Sequence, residues 1–300
     1  MSSEVTRENC GSCTSSQGQC SSCSSGTTAD GGEKAKGEFP QLLPPNELSK
    51  IKHVLAVVSG KGGVGKSSVS ALIAVELARR GWKTGVLDAD ITGPSIPKMF
   101  GLHSRPEGIE NMVMPVRTST GIKVMSLNLL LPREDDPVIW RGPLLASAVK
   151  QFWTDVAWGE IDYLVVDLPP GTGDVPLTVM QSLPLDGVVV VTSPQNLASL
   201  VVRKAIKMVR KMNVPILGLV QNMSYLVCPC CGERINIFGN GDARDVARLT
   251  GLELLCELPL DPRLAELCDQ GRVEEYGTDC FQGLPARLDA VDDREYKQKE

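Results

Sequence analysis

Residues 60–67 read GKGGVGKS: Gly60, Lys61, Gly62, Gly63, Val64, Gly65, Lys66 and Ser67, with a further hydroxyl at Ser68. Glycines at this spacing let the backbone turn so that successive amide N–H groups face a chain of phosphates, and a helix that follows presents its positive end to the same anion. Lys66 adds a point charge at the β- and γ-phosphates, and the Ser67 hydroxyl is a hard oxygen ligand for Mg²⁺ bridging them. These residues therefore make a candidate ATP-binding loop. Lys61, placed ahead of the usual lysine, narrows the class toward nucleotide-dependent dimers.

Carboxylates complete that candidate site. TGVLDADITGPS puts Asp88 and Asp90 at the end of one apolar run, and YLVVDLPPGTGD puts Asp167 at the end of another. Open parallel sheets gather their ligands at such strand ends. A carboxylate at Asp90 can position water, with Asp88 the weaker of the pair. Asp167 can hold Mg²⁺ through water, and the glycines after it permit a loop that senses the γ-phosphate.

Ten cysteines form a second chemistry, and seven of them fall into two short clusters. Only two histidines accompany them, so a metal site built here is all thiolate, which favours zinc or an iron–sulfur cluster. Cys228 and Cys231 form a C-x-x-C pair that supplies two of the four ligands such a site needs. Two-fold symmetry would bring the same pair from each chain to the axis and close the site in a homodimer. Cys230 lies between them with its role open. Cys10, Cys13, Cys20 and Cys23 are two C-x-x-C pairs that could close a four-thiolate site within one chain, with zinc and iron–sulfur both open. Cys256, Cys268 and Cys280 stand singly and are expected as core thiols.

The elements that must position these groups are legible in part. Residues 1–45 are rich in Ser, Gly and Thr and are expected as a disordered, Cys-rich tail. Over 46–288, apolar runs of strand length recur at Val54–Val58, Gly85–Leu87, Val124–Leu127, Tyr163–Val166, Val188–Val191 and Ile216–Val220, with helical patterns between most of them. This is the pattern of an α/β, doubly wound, mostly parallel sheet covered by helices on both faces. The segment after the loop, SVSALIAVELARRG, has helical periodicity with Gly81 as its stop. His53 is expected to begin the first strand, His103 to lie in a loop, and residues 289–300 to form a frayed C-terminus.

Composition limits the function classes. With 300 residues, 42% of them hydrophobic, the chain can bury one large core, and no apolar stretch is long enough to span a membrane. No apolar secretory segment is readable, so a cytoplasmic location with reduced thiols is expected. The formal net charge of −5 argues against dominant affinity for nucleic acid or anionic lipid. The basic run from Arg203 to Lys211 reads as the solvated face of a helix.

GKGGVGKS, DADITGPS and DLPPGTGD, followed by QNMS at 221–224 and CPCC at 228–231, resemble the Mrp/ApbC family of iron–sulfur cluster carrier ATPases. That family is related to the cytosolic cluster-scaffold ATPases of eukaryotes and, more distantly, to MinD, ParA and the nitrogenase iron protein. The resemblance covers about 50–285. It implies a deviant Walker A fold, homodimerisation, and a [4Fe-4S] cluster held between subunits and passed to apo iron–sulfur proteins; slow ATP hydrolysis is expected separately, because an ATPase whose γ-phosphate gates a conformational step gains nothing from rapid idle turnover. It also implies that Lys61 reaches phosphates bound in the partner subunit, that Asp90 sits near the attacking water, and that Asn222 contacts adenine. The family's CPxC pattern leaves the position of Cys230 variable. Two alternatives share the loop: a ParA- or MinD-like positioning ATPase, which the cysteines and the charged end DDREYKQKE disfavour, and a zinc-binding P-loop metallochaperone.

Overall fold

A computed structural model describes residues 42–90, 93, 95–109, 112–131, 133, 142–194, 196–238 and 243–297. In chain order the strands are β1 (Ser49–Ser59), β2 (Thr84–Asp88), β3 (Gly108–Ile109), β4 (Met112–Val113), β5 (Val116–Arg117), β6 (Lys123–Ser126), β7 (Gly159–Asp167), β8 (Gly187–Thr192), β9 (Ile216–Gln221), β10 (Leu226–Val227), β11 (Arg234–Ile235) and β12 (Leu254–Glu257). The helices are α1 (Lys66–Arg79), α2 (Ile96–Met99), α3 (Gly142–Thr154), α4 (Asp174–Ser182), α5 (Asn196–Lys211), α6 (Ala243–Thr250), α7 (Pro262–Asp269) and α8 (Leu284–Lys297).

Eight strands form one sheet in the order β12-β9-β8-β1-β7-β2-β6-β5, parallel throughout except for β5. β1 is central because its Val54–Ser59 stretch is buried throughout, as a strand covered on both faces must be. Alternation along it divides the core. Val54, Ala56 and Val58 pack with Val149, Trp153, Val179 and Val202 from α3, α4 and α5. Leu55 and Val57 face the opposite way, onto Leu72 and Ile73 of α1 and Leu264 and Leu288 of α7 and α8. The sheet is thus wound by helices on both faces.

All six strand-length runs fall in the large sheet, with Leu127 passing into a short 3-10 turn, Leu127–Leu130. The sequence pattern left out β12, the antiparallel edge β5 and the hairpin β10–β11. β1 begins at Ser49, so His53 lies within it, stacked on Tyr163 with ring centroids 5.1 Å apart. Helix α1 ends at Arg79 and Gly81 follows with φ 86°. Arg203, Lys204, Lys207, Arg210 and Lys211 are all exposed on α5, the solvated face expected of them. Helix α8 continues to Lys297, through the charged stretch that the sequence alone assigned to a frayed end. Among the described residues no helix is long and apolar enough to cross a membrane.

Replacing a fully buried side chain of β1 removes contacts from the helices that carry the site. Leu55→Ala is expected to lower unfolding stability by about 3 kcal/mol, read as a fall in the urea midpoint at unchanged slope.

Candidate functional site

β1 ends at Ser59, and the glycine loop returns the chain into α1 at Lys66. Gly65 makes that turn with φ 76°, the left-handed region, and a Cβ there would stand 2.2 Å from Asn222 Nδ2. Asn222 Nδ2 donates to Val64 O at 3.0 Å, so β9 supports the loop from below through the residue that follows it. No side chain caps α1, which leaves its first N–H groups to an occupant of the adjoining cavity. That cavity measures about 250 Å³ and is lined by Lys61, Lys66, Ser67, Ser68 and Asp90, among others.

The buried carboxylate of Asp167 organises the cations and hydroxyls. Its Oδ2 lies 2.8 Å from Lys66 Nζ and accepts from Ser67 Oγ at 2.6 Å, while its Oδ1 accepts from Ser70 Oγ at 2.6 Å. Lys66 Nζ is also 3.6 Å from Asp90 Oδ2, and both side chains are nearly buried. Ser70 escaped the sequence reading. Its signal was helical spacing, since it sits one turn beyond Lys66 and Ser67. A hydroxyl and a carboxylate so close, beside a phosphate loop, are the hard oxygen donors that suit Mg²⁺, so Ser67 and Asp167 fit that ion.

Asp88 is buried beside Asp167, its register neighbour across β2 and β7. Burial, then the Asp167 carboxylate, hold Asp88 well above the usual carboxylate range, with Lys66 opposing. Its oxygens accept from Asp90 N at 3.1 Å and from Ser126 Oγ at 3.2 Å. Asp88 therefore shapes the turn that carries Asp90.

The second chemistry lies beyond β9. The hairpin β10–β11 closes through Cys228 N donating to Glu233 O and Gly232 N donating to Cys228 O, both at 2.9 Å. The turn aims the backbone N–H groups of Cys231 and Cys230 at the Cys228 sulfur, and these hold its thiol below the usual range. Cys230 and Cys231 are exposed and Cys228 half-buried. Arg234 lies over the Tyr225 ring at 4.3 Å and braces the hairpin. Val227, Ile235, Ile237 and Phe238 leave an exposed apolar surface around it. Among the described residues, no group of three or more His, Cys, Asp or Glu side chains gathers to hold a metal ion. Cys256, Cys268 and Cys280 are half-buried, and Cys256 and Cys280 hydrogen-bond to each other rather than standing singly. Cys10, Cys13, Cys20 and Cys23 lie outside the described residues.

A parallel sheet that delivers a glycine loop to an uncapped helix, with a buried aspartate on the loop lysine, defines a P-loop NTPase. Residues 50–281 match the family described as ParA, NUBPL iron-transfer P-loop NTPase, and the chain belongs to that family. It is 44% identical over 272 residues to the iron-sulfur cluster carrier protein of Clostridium perfringens, covering 86% of this chain and 94% of that protein. Its identity to the iron-sulfur cluster carrier protein of Methanocaldococcus jannaschii is 46% over 256 residues, covering 85% and 88%. A solved nucleotide-binding protein of Archaeoglobus fulgidus, in complex with ADP and with Co, is 48% identical, with a TM-score of 0.69 over 77% of this chain and 91% of that one. MinD of Aquifex aeolicus, at 19% identity and a TM-score of 0.54 over 81% of this chain and 97% of that one, shares the fold alone.

The raised Asp88 gives a signed pH dependence. Folding favours its neutral form, so the parent loses stability as pH rises from the unfolded value near about 4 through the folded one. Asp88→Asn keeps the shape and removes the titration. Without nucleotide or Mg²⁺, its Tm at pH 7 should exceed the parent's by roughly 2–4 °C, and the gap should close toward about pH 4. Melting curves across pH test this, and a gap that is absent or widens in acid overturns it.

Proposed function

We propose that this chain is an ATP-dependent carrier that binds a [4Fe-4S] cluster at a homodimer interface and delivers it to apo iron–sulfur proteins. One observation carries the reading: a turn that favours the Cys228 thiolate stands beyond the strand that supports the phosphate loop, in a chain whose relatives are named iron-sulfur cluster carrier proteins. Cys228 and Cys231 offer two thiolates per chain. Two copies related by a two-fold axis would present four, the number a cubane cluster takes. The apolar surface of Val227, Ile235, Ile237 and Phe238 beside them suits burial in such an interface.

In the nucleotide site, Gly60 to Gly65 and the first turn of α1 would cradle the phosphates, with Ser68 beside Ser67 at the cavity wall. Ser67 and Asp167 would hold Mg²⁺, which neutralises phosphoryl charge when bound. Lys66, held between Asp167 and Asp90, would stabilise charge on the transferred phosphoryl, and Asp90 would orient the attacking water. Lys61 would reach the phosphates of the partner subunit, and Asn222 would contact adenine. A nucleotide that favours one dimer arrangement must alter cluster affinity by the same free energy with which the cluster alters nucleotide affinity.

The tail thiols Cys10, Cys13, Cys20 and Cys23 would form a second four-thiolate site. The reading has residues 1–45 as a tail and 46–288 as the ATPase body, in a cytoplasmic protein with neither membrane nor nucleic acid as partner.

The test is anaerobic reconstitution with iron and sulfide, followed by iron, sulfide and zinc analysis of the parent, Cys228→Ala and a tail-deleted form. Cys228→Ala should lose about one four-iron cluster per two chains. Zinc without sulfide in all three would remove the carrier reading. Separately, Lys66→Ala should lower ATP hydrolysis by about a hundredfold or more while cluster loading persists.

A further inference from the structure

A larger cavity, about 630 Å³, lies at the opposite end of the sheet from the nucleotide loop, where β2, β6 and β7 begin. Its volume falls in the range of small-molecule sites, and neither the loop nor the cysteines contribute to it. Four charged side chains line it: Lys83, Arg117, Lys123 and Glu160. Glu160 is matched by Lys83 at 3.1 Å and, from outside the cavity, by Lys50 at 3.9 Å. The Arg117 side chain makes no hydrogen bond or ion pair among the described residues, although its backbone pairs with β6. Three cations, Lys83, Arg117 of β5 and Lys123 of β6, thus line the cavity against the single carboxylate of Glu160, in a protein of net charge −5.

The cavity is built rather than incidental. Lys123 Nζ donates to Trp158 O and rests against Gly159, where a Cβ would meet the amine at 3.0 Å. Burial, then the charges of Arg117 and Lys83, push the Lys123 ammonium below its usual range, with the Glu160 carboxylate opposing them. The β5–β6 turn on the rim is fixed from behind. Glu274 accepts from the hydroxyls of Thr118 and Ser119, each at 2.5 Å, and from that of Thr120. On the other side, Trp82 lies edge-on to Tyr163 at 5.6 Å and remains 40% exposed, an aromatic wall for the carbon skeleton of a ligand.

We propose that this cavity is a binding site for a small organic polyanion, with Arg117 and Lys123 taking its carboxylate or phosphate groups and Trp82 covering its apolar part. A compact ligand fits better than a polymer, because the cations converge on one concavity and Glu160 bounds it.

The full-length protein, its nucleotide site filled with Mg-ADP, would be titrated calorimetrically with tricarballylate and, separately, with inorganic phosphate at fixed ionic strength. The variants are Arg117→Gln, Lys123→Gln and Trp82→Phe. One probe or both should bind the parent with Kd of about 1 mM or tighter, at one site per chain. Which probe binds tells carboxylate from phosphate recognition. Arg117→Gln, an exposed change that removes no internal bond, should weaken binding about tenfold, and added salt should weaken the parent. Binding should change the tryptophan fluorescence of the parent and not that of Trp82→Phe. No binding of either probe by about 10 mM, or equal affinity in Arg117→Gln, overturns the proposal. Cluster loading does not enter the measurement, so failure of the carrier reading leaves it intact.

Discussion

The ion pair between Lys66 and Asp167 constrains everything around it. Both side chains are withdrawn from water, 6% and 0% exposed, so each requires the other. Removing either would leave an uncompensated buried charge. Asp167 can occupy that place only if β7 keeps its register with β1, where Val57 is opposite Asp167, and with β2, where Asp88 is. A one-residue slip would turn the carboxylate to the other face of the sheet. Ser67 and Ser70 then fill the remaining lone pairs of Asp167, which fixes the rotation of α1 about its axis. The start of a helix, the ends of three strands and the glycine loop are set together by one buried charge pair.

Three acids surround a single buried ammonium, and the imbalance has a physical outcome. Asp88 is the most deeply placed after Asp167, and its neutral form is the one folding favours. Its role is accordingly structural, accepting from Asp90 N and Ser126 Oγ. The less buried Asp90 stands at the cavity wall, where the proposed mechanism would use it to orient water. Two carboxylates two residues apart thus stand in different environments through burial and neighbours alone, which the motif DAD does not distinguish.

What the sequence made legible follows from periodicity and motif strength. Val54–Val58 and Val188–Val191 are unbroken apolar runs, and such runs read plainly as strands buried on both faces. GKGGVGKS and the aspartate at the end of YLVVD marked the candidate phosphate site, and the structure brings Lys66, Ser67 and Asp167 together there. β12 was hidden because Leu254–Glu257 is only half-buried at the sheet edge, where apolar pattern weakens. β5 was hidden by its length, Val116–Arg117 alone. The pairing of Cys256 with Cys280 joins an edge strand to a segment before α8, and no spacing rule reaches so far along the chain. Ser70 was within reach, since its distance from Lys66 is one helical turn, but a serine in an apolar helix reads as filler until its partner is known.

The two chemistries share a short piece of chain. β9 ends at Gln221, Asn222 holds the phosphate loop through Val64 O, and Cys228 follows six residues later. Between them, Ser224 Oγ donates to Gln221 O within the segment, while Ser224 N donates to Leu258 O and Leu260 N donates to Tyr225 O, so the segment is tied twice to the chain leaving β12. Because Gly65 leaves no room for a Cβ beside Asn222, the loop cannot shift toward β9 without displacing that amide. A change in loop position on nucleotide exchange would therefore act on the residue that starts the path to the cysteines. The linkage in the proposed carrier needs no long-range wire, only a covalent segment braced at both ends.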